Sequence, residues 1–128
     1  MKLAKRTSRR WIKALRSGEY VQGDGVLCRD PRGSSYSRFC CLGVLCDISP
    51  RVEWVGNDLS DRDEHLLAVY NPSYGFGESV VALPQGLLEE IGLSHGREWV
   101  LMGMNDQGCN FRDIADRIEE WLEEDWNA

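Results

Sequence analysis

The C-terminal segment constrains this chain most. Phe111, Ile114, Ala115, Ile118, Trp121 and Leu122 recur at i, i+3, i+4, i+7, i+10 and i+11, which places them on one stripe of an α-helix. Asn110 stands where an N-cap side chain would accept a backbone N–H, and Asp113 lies in the first turn, where negative charge suits the helix dipole. A stripe that wide needs a core to face. With 128 residues the chain can build one such core, whereas two domains would each be left underburied. Residues 1–128 therefore read as a single globular domain.

The remaining elements are shorter. Thr7 to Ser17 carries Trp11, Ala14 and Leu15 on one stripe, with Gly18 in the C-cap position, and predicts an amphipathic helix. Tyr20-Val21-Gln22, a Gly23-Asp24-Gly25 turn and Val26-Leu27-Cys28 predict a β-hairpin, followed by an exposed loop from Asp30 to Ser35. Phe39 to Ile48 is the most apolar run and reads as a buried helix, because Cys41, Leu42, Leu45 and Cys46 share a face and its small side chains admit a close neighbour.

Val52 to Val55 is strand-like and Gly56-Asn57-Asp58 turns the chain, while His65 to Tyr70 fits a strand or a helix. Asn71 to Gly77 is an aromatic and glycine-rich loop, and Val80-Val81-Ala82 resembles a strand. Pro84 suits the first position of a helix carrying Leu87, Leu88 and Ile91 and stopped by Gly92. Leu93 to Gly96 reads as a surface turn, as does Asn105 to Gly108. The expected architecture is α+β, with short antiparallel strands packed on three to five helices.

Charge is polarised along the chain. The net value is −6, yet seven lysines and arginines, Lys2 to Arg16, precede the first acid, Glu19, and the tail from Asp113 to Asp125 is acidic. Such a chain can hold an anion locally while repelling long nucleic acid. The simplest expectation is solvated helix faces, or faces that attract one another within one chain or across a homodimer. No run of about 18 apolar residues predicts a membrane span. Met1 to Gly18 lacks the apolar region of a secretory signal, so a cytoplasmic setting is expected.

The chemistry-bearing residues form no complete motif. Cys28, Cys40, Cys41, Cys46 and Cys109 are expected to be reduced, and neither they nor His65 and His95 have zinc-site spacing. Cys40 or Cys41 at a helix N-terminus could be an activated nucleophile with His65 or His95 as base, but no third group to orient an imidazole is identifiable. A helix-turn-helix around Asn105 to Ile118 would present Asp113, Asp116, Glu119 and Glu120 to phosphates, so a helical hairpin is preferred over DNA reading. Phosphate-loop and calcium-loop patterns are missing, and neither a metal nor a cofactor is expected. Polar and aromatic residues at predicted turns remain: Tyr20, Gln22, Arg38, Trp54, Tyr70, Tyr74, Asn105 and Asp106. Aromatic faces could stack a base, Arg38 or an N-terminal arginine could pair with phosphate, and Asn or Asp could reach base edges or ribose hydroxyls.

Trp11 to Tyr20, the string Phe39-Cys40-Cys41-Leu42-Gly43-Val44-Leu45-Cys46, Leu83-Pro84, and Met104 to Glu119 resemble a family of small tailed-phage proteins. The likeness covers both ends and the middle, and Arg51 to Val81 adds nothing to it. The resemblance implies an accessory protein acting in the bacterial host cytoplasm against host defence, and it carries no catalytic residues across. The resulting expectation is a non-catalytic homodimer that sequesters a small nucleotide-type immune signal. Two alternatives stand beside it. One is an enzyme, a phosphodiesterase or Cys-dependent hydrolase, that cleaves such a signal; the other is a protein–protein inhibitor of a host enzyme.

Overall fold

The computed structural model describes residues 1–29, 37–56, 66–71, 78–79 and 81–127. Among them the chain forms α1 (Lys5–Arg16), β1 (Val21–Gln22), β2 (Cys28–Arg29), β3 (Arg38–Phe39), α2 (Cys41–Ile48), β4 (Val52–Gly56), β5 (Leu66–Tyr70), β6 (Glu78–Ser79), α3 (Gln85–Ile91), α4 (His95–Asp106) and α5 (Phe111–Asn127). The class is α+β. Two three-stranded sheets, ordered β1-β3-β2 and β4-β5-β6, pack with the helices around one apolar core.

α5 buries the six stripe residues that the sequence marks, and Asn110 caps it by accepting the Asp113 N–H at 2.9 Å. α1 lies antiparallel against it. At one end the Leu3 amide donates to Asp125 Oδ2 at 2.9 Å and the Trp126 indole donates to the Leu3 carbonyl at 2.7 Å; at the other, Arg16 pairs with Asp116 at 2.7 Å and Glu119 at 3.2 Å. Part of the basic–acidic polarity of the sequence is thus satisfied within one chain.

α2 sits at the centre of the fold. The Cys40 sulfur accepts the Gly43 N–H, which starts the helix after an extended residue, and the Trp11 indole donates to the Cys41 carbonyl at 3.0 Å, tying α1 to α2. A Cβ at Gly43 would collide with the Leu27 carbonyl, so only glycine lets α2 approach the backbone just before β2 this closely. The close approach expected of this run is real.

Several expected elements are different in the structure. The predicted 20–28 hairpin does not form: β1 and β2 do not pair with each other, because β3 lies between them, parallel to β1 and antiparallel to β2. The Gly23 N–H donates to the Phe39 carbonyl at 2.7 Å and the Cys40 N–H to the Leu27 carbonyl at 3.2 Å, so β3 takes the backbone groups a hairpin would have joined. One strand pair is consequently parallel.

The strand expected at 80–82 is placed at Glu78–Ser79, with Val81 and Ala82 in a bend; Val80 lies outside the described residues. Residues 66–70 resolve as strand. Pro84 is the residue before α3, one position earlier than expected, and Gly92 ends that helix in the left-handed region at φ 75°. Ser94, read as part of a turn, caps α4 through the Arg97 N–H at 3.2 Å. Asn105 and Asp106 belong to the last turn of α4, which leaves Gln107 and Gly108 (φ 95°) to make the reversal. The 30–35 loop, the turn at 57–58 and residues 72–77 of the aromatic and glycine-rich loop lie outside the described residues.

Candidate ligand-binding site

A groove of about 660 Å³ lies between α1 and α5. Lys5, Arg9 and Lys13 recur every four residues on α1, and Arg16 continues the same face, so one wall of the groove is cationic. Ile12 and Leu122 form an apolar floor, Trp126 closes one end with 42% of its surface exposed, and Glu119 and Glu123 stand on the α5 side.

The cations differ in how they are engaged. Arg16 is held between Glu119 and Asp116, whose hydrogen bonds raise its pKa above the ordinary guanidinium value. The Lys5 ammonium lies 4.4 Å from the Trp126 ring centre, with Lys2 at 4.8 Å. Among the described residues no ion pair engages Arg9 or Lys13. Two cations with no ion-pair partner among the described residues thus stand above an apolar floor, in a chain of net charge −6.

The residues singled out in the sequence fall into separate groups. Gln22 and Asn105 join in one network: the Asn105 side-chain oxygen accepts from Gln22 Nε2 at 2.9 Å and from the Cys41 amide at 3.1 Å, while its Nδ2 donates to the Gly23 carbonyl at 2.8 Å. Gln22 Nε2 also donates to the Cys109 carbonyl at 2.7 Å, and Asp106 accepts the Gly25 N–H at 3.1 Å. Tyr20 and Trp54 both pack on Phe39 and both donate to Asp47, at 2.7 and 3.1 Å. Burial, then the Asp47 hydrogen bond, pushes the Tyr20 phenol well above its ordinary pKa. Buried Tyr70 accepts from Arg51 at 3.3 Å and donates to Glu90 at 3.2 Å. Tyr74 lies outside the described residues.

Of this set, Gln22, Arg38 and Asn105 line a common groove of about 340 Å³ beside the α4–α5 turn. The α1 wall of the larger groove was hidden in a pattern the sequence does contain, Lys5-Arg9-Lys13-Arg16 at i, i+4, i+8 and i+11. Its opposition to α5 is a tertiary fact.

The paired cysteines have little thiolate character. Cys40 stands at a helix N-cap, which would favour the anion, yet burial dominates and pushes its thiol up to about 11. Burial likewise raises Cys41 and Cys46 well above the ordinary thiol value. His95 is exposed on α4 with Glu98 3.5 Å away, and His65 lies outside the described residues. Among the described residues no group of three or more His, Cys, Asp or Glu could hold a metal ion, and no helix is long and apolar enough to cross a membrane.

A family model described as a domain of unknown function, DUF8296, matches residues 3–122, nearly the whole fold. The chain belongs to the DUF8296 family. The matched span holds all of α1 and α5 as far as Leu122, so the cationic wall and apolar floor of the large groove fall within the DUF8296 match, while Glu123 and Trp126 lie beyond it. No curated protein and no solved structure matches the chain.

Proposed function

We propose that this DUF8296 chain is a non-catalytic binding protein that holds a small nucleotide-type anion in the groove between α1 and α5. The carrying observation is the pair of unpaired cations, Arg9 and Lys13, above the Ile12–Leu122 floor. Phosphate would pair with Arg9 and Lys13, and a planar base would lie over the apolar floor toward Trp126. Glu119 and Glu123 offer acceptors to ribose hydroxyls or exocyclic amines, which favours a nucleoside phosphate over a bare anion. In the phage setting that the sequence resemblance implies, such a protein sequesters a host immune signal in the bacterial cytoplasm. Protonated, buried Cys40 and Cys41 weigh against the thiol hydrolase alternative.

The test is native mass spectrometry of the full chain against cyclic dinucleotides and ADP-ribose derivatives, with release and identification of what stays bound. Intact ligand at fixed stoichiometry, weakened at least about tenfold by R9Q/K13Q, supports the reading. Conversion of ligand by substoichiometric protein, or binding untouched by R9Q/K13Q, sinks it.

A second reading rests on Trp99, which is 71% exposed on α4 beside half-exposed Val100. Exposed aromatic surface of this kind suits a protein contact, either the expected homodimer or a host enzyme. Sedimentation of wild-type chain and W99A separates the two: a dimer that dissociates on W99A assigns α4 to self-association.

A further inference from the structure

β2 and β3 pair antiparallel with Cys28 opposite Phe39 and Arg29 opposite Arg38. Cys28 is buried, while both arginines are exposed on the other face. Like charges directly opposite in an antiparallel pair are destabilising. Among the described residues no ion pair or side-chain hydrogen bond engages either guanidinium.

Both arginines line one small concavity of about 60 Å³ with Gly23, Asp24 and Val26. It shares Gly23, Asp24 and Arg38 with the groove of about 340 Å³ that runs along Gln22 and Asn110. Glycine is required at 23 because a Cβ there would stand 2.9 Å from the Arg38 Cβ, crowding the stem that carries the guanidinium. Among the described residues Asp24 is the acid lining both spaces, and it pairs with neither arginine; nearby Asp106 is engaged by the Gly25 N–H. Asn110 and Asp113 already serve the N-terminus of α5, so recognition at this site falls to the arginines.

We propose that Arg29 and Arg38 form a second anion site, separate from the α1–α5 groove, which takes a phosphate group. Two guanidiniums present parallel N–H pairs to phosphate oxygens, and a bound dianion converts their mutual repulsion into attraction. The phosphate is either a free ion seated in the small concavity or the head of a monoester whose organic part lies along Gln22 and Asn110.

The experiment titrates the full chain with inorganic phosphate and, in parallel, with glycerol phosphate, each against chloride at matched ionic strength, followed by amide chemical shifts and melting temperature. Saturable shifts at Arg29, Arg38 and Gly23 are expected, with affinity at least about tenfold weaker in R29Q/R38Q and unchanged in R9Q/K13Q. In chloride R29Q/R38Q should melt no lower than wild type, because the repulsion is gone, so lost binding cannot be lost folding. Tighter binding of glycerol phosphate assigns the larger groove to the organic part of a monoester; equal affinities assign the site to free phosphate. Absence of saturable shifts at Arg29, Arg38 and Gly23 with both probes, or shifts at Gly23 that survive R29Q/R38Q or disappear in R9Q/K13Q, overturns the proposal.

Discussion

The Asn105 side-chain oxygen, in the last turn of α4, accepts a hydrogen bond from the Cys41 amide that opens α2, at 3.1 Å. The same amide group holds Gln22 and the Gly23 carbonyl, and Asn105 is only 4% exposed. One side chain therefore joins α4, α2 and the end of β1.

Replacing Asn105 with alanine should lower stability by about 3 kcal/mol, since three groups lose a partner in a site that admits little water. Asn105→Asp is more informative. Its carboxylate keeps the two acceptor roles but faces the Gly23 carbonyl oxygen, so it should destabilise at pH 7 and recover in acid, when a carboxyl O–H can donate. Urea midpoints at pH 7 and pH 4 check this; a variant equally weak at both would refute the donor argument.

Two glycines inside helices should respond oppositely. Gly43→Ala forces a Cβ into the Leu27 carbonyl and should cost about 3 kcal/mol or prevent folding. Gly103→Ala meets nothing within 4 Å and should stabilise α4 by about 0.5–1 kcal/mol. Thermal melts of the two variants settle the contrast.

Ser8 is fully buried on α1, with a hydroxyl that has no hydrogen-bond partner among the described residues. Ser8→Ala removes that unsatisfied group and improves helix propensity, and should raise stability by about 1 kcal/mol. A lower melting temperature would reveal a partner for the hydroxyl.

Asp125 receives both Arg97 nitrogens, at 2.8 and 3.1 Å, and the Leu3 amide. The Arg97 hydrogen bond leads in holding its carboxyl below the ordinary value, ahead of the opposing effect of burial. A lowered folded-state pKa contributes stability above the unfolded value of about 4 and loses it as pH falls through the folded one. Asp125→Asn should therefore be less stable than wild type at pH 7, with the gap closing as pH drops from 5 toward 2. A gap independent of pH would show that the lost hydrogen-bond geometry, and not the charge, is responsible.

Thiol reactivity should follow burial. Cys109 is partly exposed, whereas Cys28, Cys40, Cys41 and Cys46 are buried. In the native state a thiol reagent at pH 8 should label Cys109 first and the others only at the rate of unfolding. Rapid labelling of Cys40 would revive the nucleophile hypothesis.

The helices were largely legible because their apolar spacing and end signals agree: α5 with Asn110, α1 before Gly18, α3 before Gly92. The misread parts lack that agreement. Arg38–Phe39 is only two residues long and merges with the apolar run, so nothing local shows that it separates Val21–Gln22 from Cys28–Arg29. Asn105-Asp106 has turn composition, yet Asn105 is fixed in a helix by partners more than 60 residues away. The same limit governs the candidate site: the cationic spacing on α1 is written in the sequence, while the α5 surface that makes it a groove lies over 100 residues downstream.

The clasp between Leu3 and Trp126 joins positions 123 residues apart. At about 10 residues per second, α1 leaves the ribosome roughly ten seconds before the helix it rests on has been made. Trp11 finds its partner early, in α2, but the part of the apolar side that faces α5, with Ile12, must wait through synthesis of all the elements between. The α5 side of α1 is thus among the last surfaces to be covered, and during that delay the nascent protein presents a cationic amphipathic face to chaperones and to anything acidic around it.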